Sequence, residues 1–329
     1  MNRLASSLSL VALTSLTLSS ATAFACTLDG KEGFLPRNNL RIPVRREIFD
    51  SHGNLQGGGI SEKEFDGVIA AVEKIYAPVV RAKGGNLVTH PNWQDASVDA
   101  HADRNDGNWN LTFTGGLARH KDMTIDGFLL VVCHELGHQI GGAPRFPGDP
   151  MATEGQADYW AALKCARRVL ERQPNLRELR ALDAPDSVLK NCRASFQSSN
   201  EAAICVRTSM AGLALGAFLA DAGGDPRVPS FNTPDRSVVR RTVTTDAGNG
   251  DPHPRPQCRL DTYANASVCP VPFSQDTSPQ DPTIGTCSQE KNDPIGFRPR
   301  CWYAPGDPAN SQRTLMGARG PVRSRVVAH

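Results

Sequence analysis

Residues 124–142 read TIDGFLLVVCHELGHQIGG. Thr124 is an N-cap residue, the apolar run from Phe128 to Val132 continues through Leu136, and Gly141, Gly142 and Pro144 stop it. The stretch predicts a helix over 124–140 that is apolar on most sides and therefore buried. Inside it stands His134-Glu135-Leu136-Gly137-His138. At 3.6 residues per turn the two histidines project from one face about one turn apart, where both imidazoles can bind one Zn²⁺. Glu135 lies beside the open coordination position, able to take a proton from water. The plainer reading, two packing histidines in a core, would bury His, Glu and His without partners, which is costly.

A catalytic zinc takes three protein ligands. Glu154, sixteen residues after His138, opens a second predicted helix over 153–172, with Thr153 and Gln156 as a capping box. Asp158 lies four residues on, on the same face, placed to accept the spare ring N–H of a ligand histidine. Each carboxylate also has a plain reading: Glu154 as an acid at a helix N-terminus and Asp158 as a solvated charge. Asp158 sits between Ala157 and Tyr159-Trp160-Ala161, which disfavours a free surface. The expected cofactor is one Zn²⁺ per chain.

Around this pair of helices the pattern is mixed. Ser61 with Glu64 caps a helix over 62–77 that ends at Pro78, and another helix is expected over 200–221. Val98 to Ala102 and Trp109 to Thr114 alternate like half-exposed strands. The second of these could be an edge strand that pairs with an extended peptide, or an ordinary strand with its tryptophan in the core. Residues 223–329 are rich in Pro, Gly and Cys and read as loop. The fold class is α+β, a zincin-like, mainly helical core with a small sheet whose edge strand precedes the helix at 124–140.

The chain has 329 residues, with 36 Lys and Arg against 34 Asp and Glu, so no basic face for nucleic acid is implied. Met1-Asn2-Arg3, the apolar Leu8 to Leu18 and the small residues Ala23 and Ala25 read as a secretory signal over 1–25. The domain expectation is then a zinc domain over 26–222 and a disulfide-rich region over 223–329 that completes the site. Cys26 follows the cut and raises a second reading, a lipid anchor, although Ala23 stands where a lipobox has Leu. No further segment reads as membrane-spanning, because the apolar Met210 to Ala220 is about half the ~20 residues required. Location is thus periplasmic or extracellular, with outer-membrane tethering under the lipid-anchor reading.

Nine cysteines suit an oxidising space. Cys133, inside the buried helix, is expected to be a reduced thiol. Cys26, Cys165, Cys192, Cys205, Cys258, Cys269, Cys287 and Cys301 are left as an even set for disulfides, in any of 105 pairings.

At these residues the sequence resembles a known group. HExxH followed by Glu154-Gly155-Gln156-Ala157-Asp158 is similar to the gluzincin pattern of thermolysin-like peptidases, most like the HtpX and type I CAAX-prenyl-protease group in a soluble exported form. Members carry His-Pro-x4-Arg after the zinc ligands, and His253-Pro254 is followed here by Arg259. Their NAFA…GG strand is resembled by Asp99-Ala100-His101-Ala102 and Gly115-Gly116, with Asp99 in place of the first Asn. The resemblance covers about residues 95–260. It implies that His253 stabilises the oxyanion and that Arg259 holds that loop, with Asp158 as a candidate partner. For His253 an exposed loop residue is an equal alternative. His52, His90, His101 and His120 have no ligand spacing and read as surface or packing residues.

Two function classes follow. One is a secreted zinc metalloendopeptidase acting on unfolded or flexible polypeptides. The other is a non-enzymatic periplasmic chaperone or envelope-assembly factor with a structural zinc site. Glu135 separates them, because a purely structural site needs ligands but no general base.

Overall fold

The computed structural model describes residues 33–36, 38–51, 55–146, 148–243 and 253–311, together with the backbone of Ala23 and Phe24. The rest of the expected signal segment, and Cys26 and His52, lie outside these residues.

The architecture is α+β. In chain order the described elements are β1 (Ala23–Phe24), α1 (Glu62–Ala82), β2 (Asn86–Asn92), β3 (Ala100–Asn105), β4 (Asn108–Thr114), the short α2 (Gly115–Ala118), α3 (Ile125–Ile140) and α4 (Glu154–Trp160). A π-helical segment, Ala161–Ala166, carries α4 into α5 (Arg167–Leu170), and α6 (Asn175–Leu179), α7 (Asp186–Ser195), α8 (Ser199–Gly223) and α9 (Pro256–Val268) follow. The sheet order is β1-β3-β4-β2, with β4 antiparallel to β3 and parallel to β2.

The caps of the two best-marked helices form as their residues require. Ser61 and Glu64 close a capping box at α1, and the Thr124 hydroxyl accepts the Gly127 N–H at 3.0 Å at α3. Helix α1 nevertheless runs past Pro78, the expected stop, to Ala82. Pro78 and Lys74, whose carbonyl the missing N–H would have used, are both exposed, so water can serve that carbonyl. Thr153 forms no side-chain cap. The expected capping box fails because Gln156 is committed elsewhere: its amide donates to the Gly141 carbonyl at 2.7 Å and its oxygen accepts from Arg298 Nε at 2.7 Å.

Three further expectations are corrected. Trp109 to Thr114 is an interior strand, because Asn86–Asn92 pairs along its other side. The C-terminal region contains the 13-residue helix α9, which opens on Pro256 in its first turn, where the missing N–H costs nothing. Cys133 is bonded to Cys165, which joins α3 to the π-helical segment after α4. The other pairs are Cys192–Cys205, Cys258–Cys301 and Cys269–Cys287. Cys258, Tyr263, Ala266, Cys269, Trp302 and Tyr303 share one hydrophobic core with Phe128, Leu130 and Leu136 of α3, so residues 253–311 pack as part of the same body.

Helix α8 is long and apolar enough by composition to cross a membrane, yet it is mostly buried in this core. Its Arg207 clamps Asp126 in the first turn of α3, with Nε and Nη2 bonds of 2.9 and 2.7 Å. Helices α3 and α4 approach closely because position 137 is glycine: a Cβ there would lie 3.0 Å from the Ala157 Cα and carbonyl oxygen. That contact brings the first turn of α4 onto the histidine face of α3.

Candidate metal centre

Helix α3 presents His134 and His138 toward the start of α4, and one ligand atom from each of His134, His138 and Glu154 falls within 4.8 Å of the others. The hydrogen bonds on the far side of each ring set its tautomer. His134 Nδ1 donates to Asp158 Oδ1 at 2.7 Å, and His138 Nδ1 donates to the Ala152 carbonyl at 2.8 Å. With each Nδ1 committed outward, Nε2 is the nitrogen that each ring offers inward, and the two lie only 3.0 Å apart. Glu154 adds Oε2 at 3.2 Å from His134 Nε2 and Oε1 at 3.5 Å from His138 Nε2. Both Glu154 oxygens are buried without a hydrogen-bond partner. Two imidazole nitrogens and a carboxylate converging in a buried pocket make a donor set that fits a divalent metal.

The electrostatics agree. Burial pulls His138 down to about 4, so it is neutral and free to ligate. Burial would raise Glu154, but the neighbouring His253, His138 and His134 outweigh it and hold the carboxyl at about 2. At His134 burial is likewise outweighed, by Asp158 and Glu154, which lift the imidazole to about 9. Binding a cation at that ring releases a proton.

Around the ligands lies a second ring of contacts. Arg259, on α9, grips Asp158 through Nε to Oδ2 and Nη2 to Oδ1, each 2.8 Å, and Tyr263 donates its hydroxyl to the same Oδ1. Burial opposes the Asp158 charge, but the Arg259 guanidinium holds its carboxyl well below the usual range. The chain after residue 252 thus supplies two of the partners of Asp158, beside His134. Tyr263 was not identified from sequence, although it stands four residues from Arg259 and so on the same helical face. His253 also reaches the centre: its side chain is buried and Nε2 lies 3.4 Å from Glu154 Oε2. Because a carbonyl only accepts, the same Nε2 carries the proton it gives to the Gly33 oxygen at 2.9 Å.

Glu135 is buried beside the ligands, and neither of its carboxylate oxygens has a hydrogen-bond partner. Burial pushes its carboxyl up to about 8, against the pull of His134. A metal's charge at the neighbouring ligands would favour its carboxylate form, the proton acceptor.

The other described histidines are His90, His101 and His120, and of these His101 is near enough to Glu135 for their charges to interact. His90 pairs with Asn110 across the sheet, and His101 pairs with Asp99 on β3. His120 groups with Asp122 and Asp221, and the Lys121 ammonium already bridges both carboxylates at 2.6 and 3.0 Å. Asp235 lies near Cys258 and Cys301, which are bonded to each other and offer no thiolate.

No protein-family model, no curated protein and no solved structure matches this chain, so the likeness to gluzincins rests on its motifs.

Proposed function

We propose that the chain is an exported zinc metalloendopeptidase. The observation that carries this reading is the pairing of a converging His134, His138 and Glu154 donor set with a buried Glu135 that has no hydrogen-bond partner. A metal kept for stability alone has no use for that fourth group. Zn²⁺ suits two imidazoles and a carboxylate, and when bound it supplies Lewis acidity toward a peptide carbonyl and acidifies water.

The chain's own groups divide the remaining work. Glu135 accepts a proton from the attacking water and passes it to the leaving nitrogen. The His253 Nε2–H donates to the carbonyl oxygen as negative charge develops there. Asp158 fixes the His134 ring with Nε2 inward, and Arg259 and Tyr263 keep Asp158 ionised and oriented. The substrate class is polypeptide. Four disulfides are compatible with the oxidising space that the N-terminal signal pattern implies.

One observation favours the second reading, a structural zinc site in a non-enzymatic envelope protein: His134, Glu135, His138 and Glu154 are at most 1% exposed. Metal analysis of the purified protein, combined with digestion of unfolded casein with and without a chelator, separates the two. One zinc per chain with chelator-sensitive digestion supports the peptidase, and bound zinc with no digestion supports the structural site.

A further inference from the structure

The centre is closed by the chain's own N-terminal segment, and the manner of closure is specific. The Gly33 carbonyl oxygen accepts from His253 Nε2 at 2.9 Å. The Phe34 N–H donates to the Ala100 carbonyl, at the start of β3, at 2.6 Å. The Phe34 carbonyl accepts from Arg259 Nη1 at 2.8 Å. Its side chain is fully buried, edge-on to the His134 ring with centroids 4.9 Å apart and beneath the Arg259 guanidinium at 4.2 Å.

The described part of the segment has one direction relative to its partners. The Phe34 N–H bonds to the Ala100 carbonyl, and the Ile42 N–H bonds to the Ala96 carbonyl at 2.7 Å. From Phe34 to Ile42 the partners descend from Ala100 to Ala96. The described residues 33–36 and 38–42 thus run antiparallel to residues 96–100, and the Gly33–Phe34 peptide bond lies beside the candidate metal centre. The carbonyl of that bond faces His253, the proton donor of the mechanism above, and its nitrogen side is fixed on the strand.

We propose that this bound peptide is a substrate of its own chain, hydrolysed between Gly33 and Phe34, so that the processed protein begins at Phe34. The inference rests on the peptidase reading. Water adds its oxygen to the Gly33 carbonyl carbon, the C–N bond to Phe34 breaks, Gly33 leaves as a carboxylate, and Glu135 carries the proton to the Phe34 amine. No oxidant or further reactant is required.

The geometry also sets the sequence at the cut. A Cβ on residue 33 would lie 2.0 Å from Asp99 Oδ1 and 2.2 Å from the Ala100 carbonyl oxygen. The carboxylate could swing away, but the strand carbonyl cannot, so the residue before the cut is glycine. The residue after it is a large apolar one, filling the space between His134, Phe218 and Arg259. The same preference should hold for foreign substrates.

The test follows the N-terminus of the full chain. Zinc-loaded wild type, held at neutral pH and sampled by intact mass and N-terminal sequencing, is expected to converge on Phe34 at a rate independent of protein concentration, because the substrate is already bound. Glu135→Gln should keep its residues ahead of Phe34. In Glu135→Gln, hydrogen exchange should show a protected Phe34 amide, and adding Gly33→Val should abolish that protection. Casein digestion by a wild type that never acquires Phe34 as its first residue overturns the inference and leaves the peptidase reading standing. Failure of both overturns the two together. A Phe34 amide that exchanges freely in Glu135→Gln removes the bound geometry and the inference with it.

Discussion

Arg259 and Asp158 meet through two parallel bonds of 2.8 Å, one hundred and one residues apart in sequence and with both side chains essentially inaccessible to water. This pair fixes α9 to α4 and, through Asp158 Oδ1, fixes the tautomer of His134. Breaking a buried pair leaves the survivor uncompensated, which costs far more than the intact pair contributes. Asp158→Ala should therefore lose roughly 3–5 kcal/mol in urea unfolding. Tyr263→Phe, which removes one bond to a charged group, should lose roughly 1.5–3 kcal/mol. A loss below 1 kcal/mol in Asp158→Ala would show that the guanidinium finds other partners.

What the sequence displayed of this arrangement depended on how locally each feature is encoded. Helix α3 was legible because its cap, apolar run and stop all lie within nineteen consecutive residues, and the ligand pair is a spacing within one helix. Helix α9 was not, since the residues it buries include Arg259, Thr262 and Ser267, which face polar partners and leave no apolar stripe. The position of Trp109–Thr114 within the sheet depended on Asn86–Asn92, whose His90 and Pro91 mask a strand pattern. Cys133 read as a core thiol because a buried cysteine and a buried half-cystine have the same neighbours in sequence. The seating of Gly33 and Phe34 had no local signal at all, being a contact between segments more than two hundred residues apart.

Glu135→Gln keeps the shape of the side chain and removes its basicity. Zinc should stay near one per chain by elemental analysis, while hydrolysis of a peptide substrate should fall on the order of 10²–10⁴-fold. His134→Ala and Glu154→Ala should instead lose stoichiometric zinc. Equal zinc in wild type and the double variant His134→Ala/His138→Ala would refute the ligand assignment.

The Cys133–Cys165 bond ties the ligand helix to the helix that carries Glu154 and closes a loop of 32 residues. Its removal in Cys133→Ala/Cys165→Ala should lower stability by roughly 3–4 kcal/mol on the loop-entropy scale. Alkylation of the unfolded, unreduced wild type should label none of the eight cysteines paired here. Labelling at Cys133 would restore the reduced thiol expected from sequence.

Lys164 is buried with its ammonium on the Pro272 carbonyl at 2.7 Å, and burial, with Arg167 adding to it, pulls its pKa from 10.5 to about 7. Between about pH 7 and 10.5 the unfolded chain holds a proton here that the folded chain does not. Stability from this group therefore rises with pH across that window, and the charged form is the penalised one below it. In urea unfolding at stepped pH, Lys164→Met should flatten the wild-type rise. Parallel profiles for the two proteins would mean that the ammonium is better solvated than its burial implies.

His253 touches Glu154 but is placed as a donor, and the two roles give opposite results on mutation. A ligand's loss would empty the metal site. A donor's loss would leave zinc untouched and weaken only the interaction that grows as the carbonyl oxygen gains charge. The 2.9 Å bond from Nε2 to the Gly33 carbonyl shows the ring aimed at a carbonyl oxygen, where a fixed donor stabilises the transition state more than the ground state. His253→Ala should therefore lower kcat on the order of a hundredfold, about 3 kcal/mol, with KM little changed. His253→Gln, with an N–H of shorter reach, should recover part of the rate. A raised KM at unchanged kcat would mean that the ring only helps to seat the peptide, and parallel loss of zinc would make it a ligand.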